Sequence, residues 1–443
     1  MRKLFCLFAI ASLLSSCADD DDDIVQPEVH QYDRTVLVYI SGENNLTSYI
    51  KIGLEGLRAG SANIGNNALV VYVDDANKNR NPYIIRIENG ETKDSFALPN
   101  DPLSSDPTAF RDVLNYTSTH FPANDYGLVL WGHATGWLFE DSVAVSSSRP
   151  FRAFGGDNGQ NTSSIRGLVW MNMPTMAQTL TQWGQPLKFI LADCCQFQCV
   201  EVAYELRNCV DYIIASPAEI PGVGCPYSTV TKHFFSHSAD FYKDIVDRYY
   251  EQVIPVYYRK DWGFSITYDS RTPLSVVKTS ELESLASATS YALKSMDTMR
   301  YEKLPALHKE KLIYYYGNVD DIKESCMYDM NDVMLHYADS ATYDSWKKAF
   351  DRAVVYKVNA KEGWMTAQQI LPYVFGKTSN DEKITQVLTD ERYGGVSMFV
   401  PQKSSGSWYF PYTNINGNSM NGYNADIKKT AWYHAVKLSD LGW

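Results

Sequence analysis

The sequence lacks an excess of basic residues, and it lacks an apolar run long enough to cross a membrane. It contains 40 Lys and Arg against 52 Asp and Glu, a formal net charge of −12 over 443 residues. Binding to nucleic acid phosphates needs a basic surface, so nucleic acid is not expected as a main partner. The apolar run Leu4–Leu14 is eleven residues long, whereas a spanning helix takes about 20. No other apolar segment is long enough to span a membrane either.

The eight cysteines lack the spacing of a disulfide framework or of a zinc site. Four of them, Cys194, Cys195, Cys199 and Cys209, fall within 16 positions. A disulfide framework is usually spread along a small domain. Structural zinc sites usually contain paired Cys-x2-Cys spacing, which this cluster does not have. We therefore expect no zinc site and assign no metal ligands from the spacing.

The first residues have the pattern of a secretion signal. Arg2 and Lys3 precede the apolar run, and Leu-Ser-Ser-Cys ends at Cys17. This arrangement resembles a bacterial lipoprotein signal, in which cleavage leaves Cys17 as the lipid-bearing N-terminus. An ordinary signal peptide with a chance cysteine is the alternative. Residues 1–16 are assigned to the signal peptide.

Five consecutive aspartates, Asp19–Asp23, follow Cys17 closely. Like charges at this density repel one another and stay solvated, which predicts an acidic tether over residues 17–31. The run also resembles a surface-export signal of lipoproteins in the Bacteroidetes. We expect a lipid anchor in the outer membrane, with the protein at the cell surface or facing the periplasm of such a bacterium.

Short apolar runs alternate with helical patterns through the middle of the chain. Runs of this length suit strands that are buried on both faces of a largely parallel sheet. They predict strands over 35–40, 68–73, 82–87, 127–131, 189–192 and 212–215, the third antiparallel or at an edge. Helical spacing predicts helices over 46–57, 173–183 and 200–206. The alternation predicts an open α/β sheet with helices on both faces.

After about residue 275 the pattern becomes mainly helical. Helices are predicted over 280–296, with Ser280 as N-cap, and over 328–337 and 343–354, while 394–400 predicts a strand. These patterns divide the folded chain into an α/β domain over residues 32–275 and a smaller, mainly helical part over 276–443.

Two of the predicted strands run directly into reactive side chains. One ends at His133, and the other ends at Asp193, Cys194 and Cys195. Catalytic groups of open α/β sheets gather at the carboxyl ends of the strands. If the two strands are parallel neighbours, an imidazole meets a thiol, which at its usual pKa of about 8.5 needs a base to act as a nucleophile. Taken alone, a histidine after a strand is more often a structural residue, and a buried cysteine is usually a small core side chain.

Several segments resemble blocks of the clostripain family of cysteine peptidases. Residues 131–137, Trp-Gly-His-Ala-Thr-Gly-Trp, resemble its histidine motif. Residues 193–206, which begin Asp-Cys-Cys-Gln and continue into Val-Glu-Val-Ala-Tyr-Glu-Leu, resemble its cysteine motif. Residues 215–227, 328–332 and 395–401 resemble later blocks. The similarity covers roughly residues 33–443, and all blocks occur in family order.

The resemblance implies a caspase-like fold and endopeptidase activity on protein or peptide substrates. Matched residue by residue, it puts the nucleophile at Cys195 rather than Cys194 and the base at His133. It assigns the oxyanion donor to the backbone N–H of Ala134, although the family usually has Gly there. Alanine keeps the N–H donor but restricts the backbone conformations available at this position, because glycine adopts φ and ψ angles that alanine disfavours.

Substrate binding is assigned by the same resemblance to Asp193 and Ser216. A carboxylate at position 193 would favour cleavage after Arg or Lys by charge pairing. Cys225 stands where the family usually has Trp near this pocket, a change that bears on specificity. We expect the protein to act as a monomer.

Members of the family are often made as precursors that are cut between the histidine and cysteine blocks. Residues 146–153, Ser-Ser-Ser-Arg-Pro-Phe-Arg-Ala, have the composition of an exposed loop. Self-cleavage is expected after Arg152, because Pro150 disfavours a cut after Arg149. Some members depend on calcium, and by that analogy alone Asp157 is a candidate contact. The sequence has no EF-hand spacing.

Two other functions are compatible with the same residues. A catalytically inactive surface lipoprotein would keep the fold and use its 31 tyrosines and 10 tryptophans to bind glycan or protein. A caspase-like peptidase with acidic or neutral specificity would keep the catalytic pair and lack the preference for Arg and Lys.

Overall fold

The computed structural model describes residues 30–138, 154–165, 167–259, 265–305, 307, 310, 312–315, 327–361, 364–366, 369–371, 388–401 and 426–443. The chain from Gln31 to Trp443 forms one compact unit. The predicted signal peptide, Cys17, the tether aspartates and Arg152 lie outside the described residues. Within the described ranges, no helix is long and apolar enough to cross a membrane.

The described strands follow one another along the whole chain. In chain order they are β1 Tyr32–Gly42, β2 Asn67–Asp75, β3 Tyr83–Glu88, β4 Glu91–Ala97, β5 Ala123–Gly132, β6 Phe154–Asp157, β7 Val169–Met171, β8 Leu187–Asp193, β9 Tyr212–Ala215, β10 Ile254–Arg259, β11 Ser265–Ser270, β12 Leu274–Lys278, β13 Met327–Asp329, β14 Val354–Val358, β15 Trp364–Thr366, β16 Gln369–Leu371 and β17 Ser397–Phe399.

The described helices lie between these strands and after them. They are α1 Ile50–Gly60, α2 Pro107–His120, α3 Met173–Trp183, α4 Val200–Glu205, α5 Tyr227–Val230, α6 Tyr242–Tyr250, α7 Leu282–Ser295, α8 Met330–Tyr337, α9 Ser340–Ala353 and α10 Ala431–Val436. Short 3₁₀ helices occupy Thr47–Tyr49, Thr231–Phe235, Thr279–Glu281, Asp297–Met299, Tyr301–Lys303, Ile427–Lys429 and Leu438–Leu441.

A nine-stranded mixed sheet organises the fold, in the order β14-β12-β9-β8-β5-β1-β2-β3-β4. Its five middle strands, from β9 to β2, are parallel to their neighbours. The strands at both sides, β3, β4, β12 and β14, pair antiparallel. All carboxyl ends of the parallel strands therefore meet at one edge, which is where catalytic groups are expected.

Burial on both faces of the middle strands explains their composition. In β1, Val36, Val38 and Ile40 pack on one face with α1, α5 and α6. On the other face, Leu37 and Tyr39 pack with residues of α2, α3 and α4. Full burial of such a side chain contributes about 1.5–3 kcal/mol relative to exposure. The predicted α/β sheet with helices on both faces is confirmed.

The predicted strands and several helices are found close to their expected positions. All seven predicted strands are present, the last of them as β17 within 394–400, and β3 is antiparallel and lies next to the edge strand β4. The helix predicted over 173–183 has those bounds, and it ends at the left-handed Gly184. Such a glycine commonly ends a helix, since it adopts positive φ without a Cβ clash.

Two helix starts differ from the sequence prediction. The predicted N-cap Ser280 is wrong, because Thr279–Glu281 forms a 3₁₀ turn and Glu281 precedes α7 without a capping bond. The helix predicted from residue 328 begins later, because residues 327–329 pair with β17 as a strand. Asp329 then caps α8 by accepting from the Asn331 and Asp332 N–H groups.

The later part of the chain is mainly helical among its described residues, with α7, α8, α9 and α10. It also extends the large sheet through β12 and β14. Since β12 runs from residue 274 to 278, it crosses the proposed boundary between residues 275 and 276. That boundary stays a proposal.

Candidate active site

The ends of β5 and β8 bring the predicted histidine and cysteine to matching positions. The two strands are parallel neighbours, as predicted, and Trp131 lies opposite Asp193 in their register. His133 and Cys195 are each two residues beyond that pair. The backbone therefore carries both residues to the same edge of the sheet, one from each strand.

Gly132 allows the end of β5 to approach β1 closely. Its φ is +151°, and a Cβ there would lie 2.7 Å from the backbone oxygen of Ser41. A contact that short is not tolerated, so a larger residue would push β5 away from β1. The glycine before His133 is therefore explained by backbone approach.

His133 is held by hydrogen bonds to two other segments, one at its imidazole ring and one at its backbone carbonyl. Its Nε2 lies 2.6 Å from Oδ1 of Asn45, which follows the end of β1. The His133 carbonyl accepts a hydrogen bond from the Gly155 N–H in β6 at 2.9 Å. The Trp170 ring is centred 6.2 Å away. In this orientation of the amide, Nε2 carries the proton and Nδ1 is the basic nitrogen.

Partial burial lowers the pKa of His133 to about 4. Burial disfavours the charged imidazolium, so the direction is the one expected. At neutral pH the ring is therefore uncharged and able to accept a proton. The neutral ring is the form in which a general base can accept a proton.

The Cys195 side chain is half-buried, and its thiol is hydrogen-bonded to the backbone of a single residue. Its Sγ lies 3.3 Å from the donating N–H of Ile220 and 3.7 Å from the accepting carbonyl of the same residue. Burial raises the pKa of Cys195 to about 12, and the nearby carboxylates of Glu219 and Asp193 add to the shift. The thiol is thus protonated at neutral pH. Both residues are described, and no hydrogen bond joins the thiol to His133.

Cys194 lies on the opposite face of the sheet from Cys195. It is 2% exposed and packs into the core beneath α2, α3 and α4. Cys195 packs instead against the core on the α1, α5 and α6 side. Burial raises the pKa of Cys194 well above its usual value. Of the two adjacent thiols, Cys195 is the more accessible.

Gln196 turns the chain sharply after Cys195. Its φ is +56°, in the left-handed region that few residues other than glycine adopt. Its N–H donates to the Ala218 carbonyl at 2.8 Å, which ties this turn to the loop after β9. Strained conformations of this kind persist where the surrounding structure fixes them, often beside functional residues.

Asp193 is buried and accepts three hydrogen bonds. Oδ2 accepts from the Cys225 N–H at 2.9 Å and from the Tyr227 hydroxyl at 2.8 Å, while Oδ1 accepts from the Tyr249 hydroxyl at 2.6 Å. Burial raises the pKa of Asp193, and these donors oppose that rise. A Cβ on Gly224 would lie 2.5 Å from Oδ2, so this glycine allows the loop to close over the carboxylate.

Ser216 and Ala134, the other predicted site residues, are both buried. The Ser216 hydroxyl accepts from the Ala218 N–H at 3.1 Å, and its carbonyl accepts from the Gln198 N–H at 3.0 Å. Ala134 forms a single β-bridge opposite Phe154. The bond in that bridge runs from Gly155 N–H to the His133 carbonyl, so it leaves the Ala134 N–H out.

Four residues that contact the site were not identified from the sequence. They are Asn45 beside His133, Ile220 beside Cys195, and the two tyrosines on Asp193, Tyr227 and Tyr249. Asn45 carries a usable signal, because it follows β1 as His133 follows β5. Its place just past a strand end makes it predictable from the sequence in the same way. Tyr227 is the last residue of the block over 215–227, whereas Tyr249 has no such signal, because it lies in α6, distant in sequence.

Asp157, the residue offered as a calcium contact, lies near the carboxylates of Glu43, Asp74 and Asp101. Its Oδ2 accepts from the Ser104 N–H at 2.6 Å and from the Ser104 hydroxyl at 2.8 Å. Its Oδ1 accepts from the Gly159 N–H at 2.8 Å. Three donors thus occupy most of its acceptor capacity. Asp157 fits a structural acceptor better than a metal ligand.

Comparison with known proteins identifies one matching family model. The model of the clostripain family, Peptidase_C11, matches residues 38–441. No curated protein matches the chain significantly.

Solved structures of similar fold cover nearly the whole chain. A secreted C11 cysteine protease from Bacteroides thetaiotaomicron, in complex with an irreversible peptide inhibitor, has a TM-score of 0.65 and 25% identity. The match covers 92% of this chain and 99% of that one. An inactive zymogen C11 protease from Parabacteroides distasonis has a TM-score of 0.64 and 24% identity, covering 91% and 98%.

Proposed function

The chain belongs to the clostripain family of cysteine proteases, and from that premise we propose that it cuts peptide bonds after Arg or Lys with Cys195 as nucleophile and His133 as base. The register of β5 and β8 carries this proposal, since it sets the two residues at matching positions past Trp131 and Asp193. A thiol and a neutral imidazole at the same sheet edge are the groups that acyl transfer requires.

The protonation states of Cys195 and His133 favour general-base catalysis over a thiolate–imidazolium pair that exists before the substrate binds. The pKa of Cys195 is raised to about 12 and that of His133 is lowered to about 4, so both groups are neutral at pH 7. The thiol proton would pass to His133 as Sγ attacks the scissile carbonyl. The imidazolium would then protonate the leaving amine, and water would hydrolyse the thioester.

A substrate has to change two contacts for this step. The Cys195 thiol has to leave the Ile220 backbone unit, to which it is bonded at 3.3 Å. The developing oxyanion then needs donors within hydrogen-bond distance, and the Ala134 N–H is proposed as one of them. Catalytic hydrogen bonds are often poorly aligned before substrate binds, so their absence here is compatible with activity.

The preference for basic residues is supported by negative charge beside the nucleophile. Asp193 and Glu219 are the two carboxylates that raise the pKa of Cys195. A cationic side chain bound there would pair with them in a partly desolvated site. Asp193 is the residue to which we assign this role.

A second specificity is favoured by the contacts of Asp193. Three donors already occupy its oxygens, two of them the hydroxyls of Tyr227 and Tyr249. An ionised carboxylate has about four acceptor positions, so only one is left for a substrate. If an Arg or Lys side chain of the substrate does not reach this remaining position, the enzyme prefers neutral residues before the scissile bond. Asp193 then has a structural role.

The proposed function is tested with fluorogenic peptides that differ only in the residue before the scissile bond. We expect kcat/KM for Arg and Lys to exceed that for neutral and acidic residues by about 100-fold, the effect of one well-placed charge pair. A preference for neutral residues would establish the second specificity. Cleavage of none of the peptides by the correctly processed protein would favour the inactive binding protein.

Two isosteric variants locate the charge that sets the preference. Asp193→Asn removes the buried carboxylate, and Glu219→Gln removes the half-buried one on the other side of Cys195. If Asp193 sets specificity, only Asp193→Asn loses the preference for Arg and Lys. Loss of that preference in Glu219→Gln alone would move the assignment to Glu219.

We also propose that the chain cuts itself after Arg152, which lies outside the described residues. The site would match the preference for basic residues, and it lies between His133 and Cys195 in sequence. Intact-mass measurement of wild type and Arg152→Ala tests it. Fragments ending at Arg152 are expected in the wild type, and a full-length, fully active wild type would contradict the idea.

The predicted lipid anchor at Cys17 also stays a proposal, because it lies outside the described residues. A similar protease from Bacteroides thetaiotaomicron is described as secreted, which agrees with a chain that carries an export signal. Metabolic labelling with a fatty-acid analogue should mark the wild type and not Cys17→Ala. Equal labelling of both would rule out this cysteine.

A further inference from the structure

The amide of Asn45 is the hydrogen-bond partner of the His133 imidazole. Its Oδ1 lies 2.6 Å from Nε2 of that ring. A carbonyl oxygen only accepts, so in this arrangement the proton of the neutral ring lies on Nε2. Among the described residues, Nδ1 of His133 has no hydrogen-bond partner. The nitrogen that faces Asn45 therefore carries the proton, and Nδ1 keeps a lone pair that can accept another.

A tight turn after β1 fixes the position of Asn45. The Asn44 carbonyl accepts a hydrogen bond from the Thr47 N–H at 3.2 Å. The Asn44 side chain accepts a second one, from the Leu46 N–H at 2.9 Å. Asparagine commonly makes this bond to the backbone two residues later, and it stabilises turns. Asn45 is the second residue of the turn, so its backbone is defined although its side chain is exposed.

The same turn is anchored to β6, the strand that also holds the backbone of His133. Asn44 is fully buried, and its Nδ2 donates to the Gly156 carbonyl at 2.7 Å. Gly155, the preceding residue of β6, donates to the His133 carbonyl at 2.9 Å. One short strand therefore sets the position of Asn45 relative to His133. The exposed hydrogen bond between the two side chains does not have to do this by itself.

Trp170 packs close to the same imidazole. Its ring is centred 6.2 Å from that of His133, with 50° between the two planes, and it is 6% exposed. A Cβ on Gly156 would lie 2.7 Å from the Trp170 ring, so the glycine allows the tryptophan to pack there. The imidazole thus has a large buried neighbour in addition to its hydrogen bond.

We propose that Asn45 is a positioning residue for His133, whose Oδ1 keeps the proton on Nε2 and so makes Nδ1 the nitrogen that accepts the thiol proton. This inference rests on the proposed role of His133 as base. The proton would pass from Sγ of Cys195 to Nδ1 and later from Nδ1 to the leaving amine. The N–H at Nε2 would stay bonded to Asn45 throughout, and this bond strengthens when the ring becomes an imidazolium.

An amide orients the ring without adding charge. Burial is the cause that lowers the pKa of His133 to about 4, and no charged side chain of the described residues contributes. Two carboxylates belong to the segments that hold the ring, Glu43 after β1 and Asp157 in β6. They bond instead to the loop after β6 and to Ser104. The Cys195 thiol, proposed to meet Nδ1, is neutral at pH 7.

Asn45→Ala and Asn45→Asp separate the orientation of the ring from its charge. Asn45→Ala removes the acceptor and should lower kcat/KM by about 10- to 100-fold at neutral pH, mainly through kcat. Asn45→Asp keeps an acceptor and should recover most of the activity at about pH 8. Its carboxylate should raise the pKa of His133 by about 1–3 units, which moves the acidic limb of the kcat/KM profile to higher pH.

Ser48→Ala is the matched control. Ser48 is exposed and lies in the 3₁₀ turn Thr47–Tyr49, three residues after Asn45. The variant should match the wild type in kcat, KM, pH profile and Tm. A loss of activity in Ser48→Ala as large as in Asn45→Ala would trace the effect to the turn and not to the amide.

NMR of labelled histidines in the uncut Cys195→Ala chain tests the hydrogen bond without any activity. With Asn45 present, His133 should show a protonated Nε2, an unprotonated Nδ1 and an Nε2–H signal that exchanges slowly with water. The signal should persist in Asn45→Asp and disappear in Asn45→Ala. If no peptide is cleaved, the proposed function fails while this measurement still decides whether the hydrogen bond exists.

Three results would overturn the proposal. One is a neutral His133 with its proton on Nδ1, because Asn45 would then be the donor and Nδ1 could not accept. Another is an Asn45→Ala enzyme whose kcat/KM stays within about twofold of an active wild type. The third is an equal loss of activity and of Tm in Asn45→Ala and Asn45→Asp, which would make Asn45 a structural residue of the turn.

Discussion

Replacing Cys195 with alanine should lower kcat/KM for peptide hydrolysis by about 10⁴-fold or more and leave the chain uncut. Cys195 follows β8 at the position that matches His133 after β5. It is also the more accessible of the two adjacent thiols. Alanine removes the nucleophile and adds no bulk, so a loss of activity without a loss of fold identifies the reacting sulfur. Peptide hydrolysis and intact mass, measured on the same samples, report both effects.

The matched control is Cys194→Ala, one residue earlier. Cys194 is 2% exposed and lies in the core on the other face of the sheet. Its removal should cost about 1 kcal/mol of stability, as for a small core truncation, and leave kcat/KM within a few-fold of wild type. Activity that survives Cys195→Ala and disappears in Cys194→Ala would show that the nucleophile has been misassigned.

Replacing His133 with alanine should lower kcat/KM by about 10²- to 10⁴-fold, the usual contribution of a general acid–base residue. The remaining thiol has a pKa raised to about 12, so little thiolate forms at neutral pH without the base. Raising the pH should therefore recover part of the lost activity in His133→Ala. A variant with unchanged kcat/KM at pH 7 would exclude His133 as the base.

The protonation state of His133 can be measured directly. With its pKa lowered to about 4 by burial, His133 should stay neutral from pH 8 down to about pH 5. NMR titration of labelled histidines, assigned with His133→Ala, reports this in the uncut Cys195→Ala chain. Since the folded-state pKa lies below the usual 6.5, its contribution to stability is present above pH 6.5 and decreases as pH falls to 4. An ordinary titration near 6.5 would contradict the lowered pKa of His133.

The sequence predicted the middle of the sheet well because those strands are apolar on both faces. The runs around Val36–Ile40 and Phe189–Ala192 are continuous, as expected for buried parallel strands. The outer strands were missed for the opposite reason. β4 is fully exposed and polar, and β14 is buried only at its first residue, so neither shows a run of apolar residues.

Helix α2 was missed although its start has a recognisable signal. Asp106 caps it by accepting from the Thr108 and Ala109 N–H groups, and Pro107 occupies the first turn. Both residue types favour a helix start. The apolar residues that follow are separated by several polar ones, so the periodicity alone was weak.

The candidate site was predictable only where it follows the strands. His133 and Cys195 follow β5 and β8, and Asp193 ends β8, so a local pattern places them. The partners of Asp193 come from α5 and α6, 34 and 56 residues later. Their hydroxyls meet the carboxylate through packing of helices on the sheet, which no local pattern encodes. The sequence therefore could not predict whether the Asp193 carboxylate is accessible to a substrate.

The order of strands in the sheet determines what a cut after Arg152 would produce. β1 to β5 precede that position, whereas β8, β9, β12 and β14 follow it. β5 and β8 pair directly along the middle of the sheet. A cut would therefore give an obligate two-chain enzyme, with the histidine on one polypeptide and the cysteine on the other. Neither fragment would be active alone, and the two would separate only when the sheet itself unfolds.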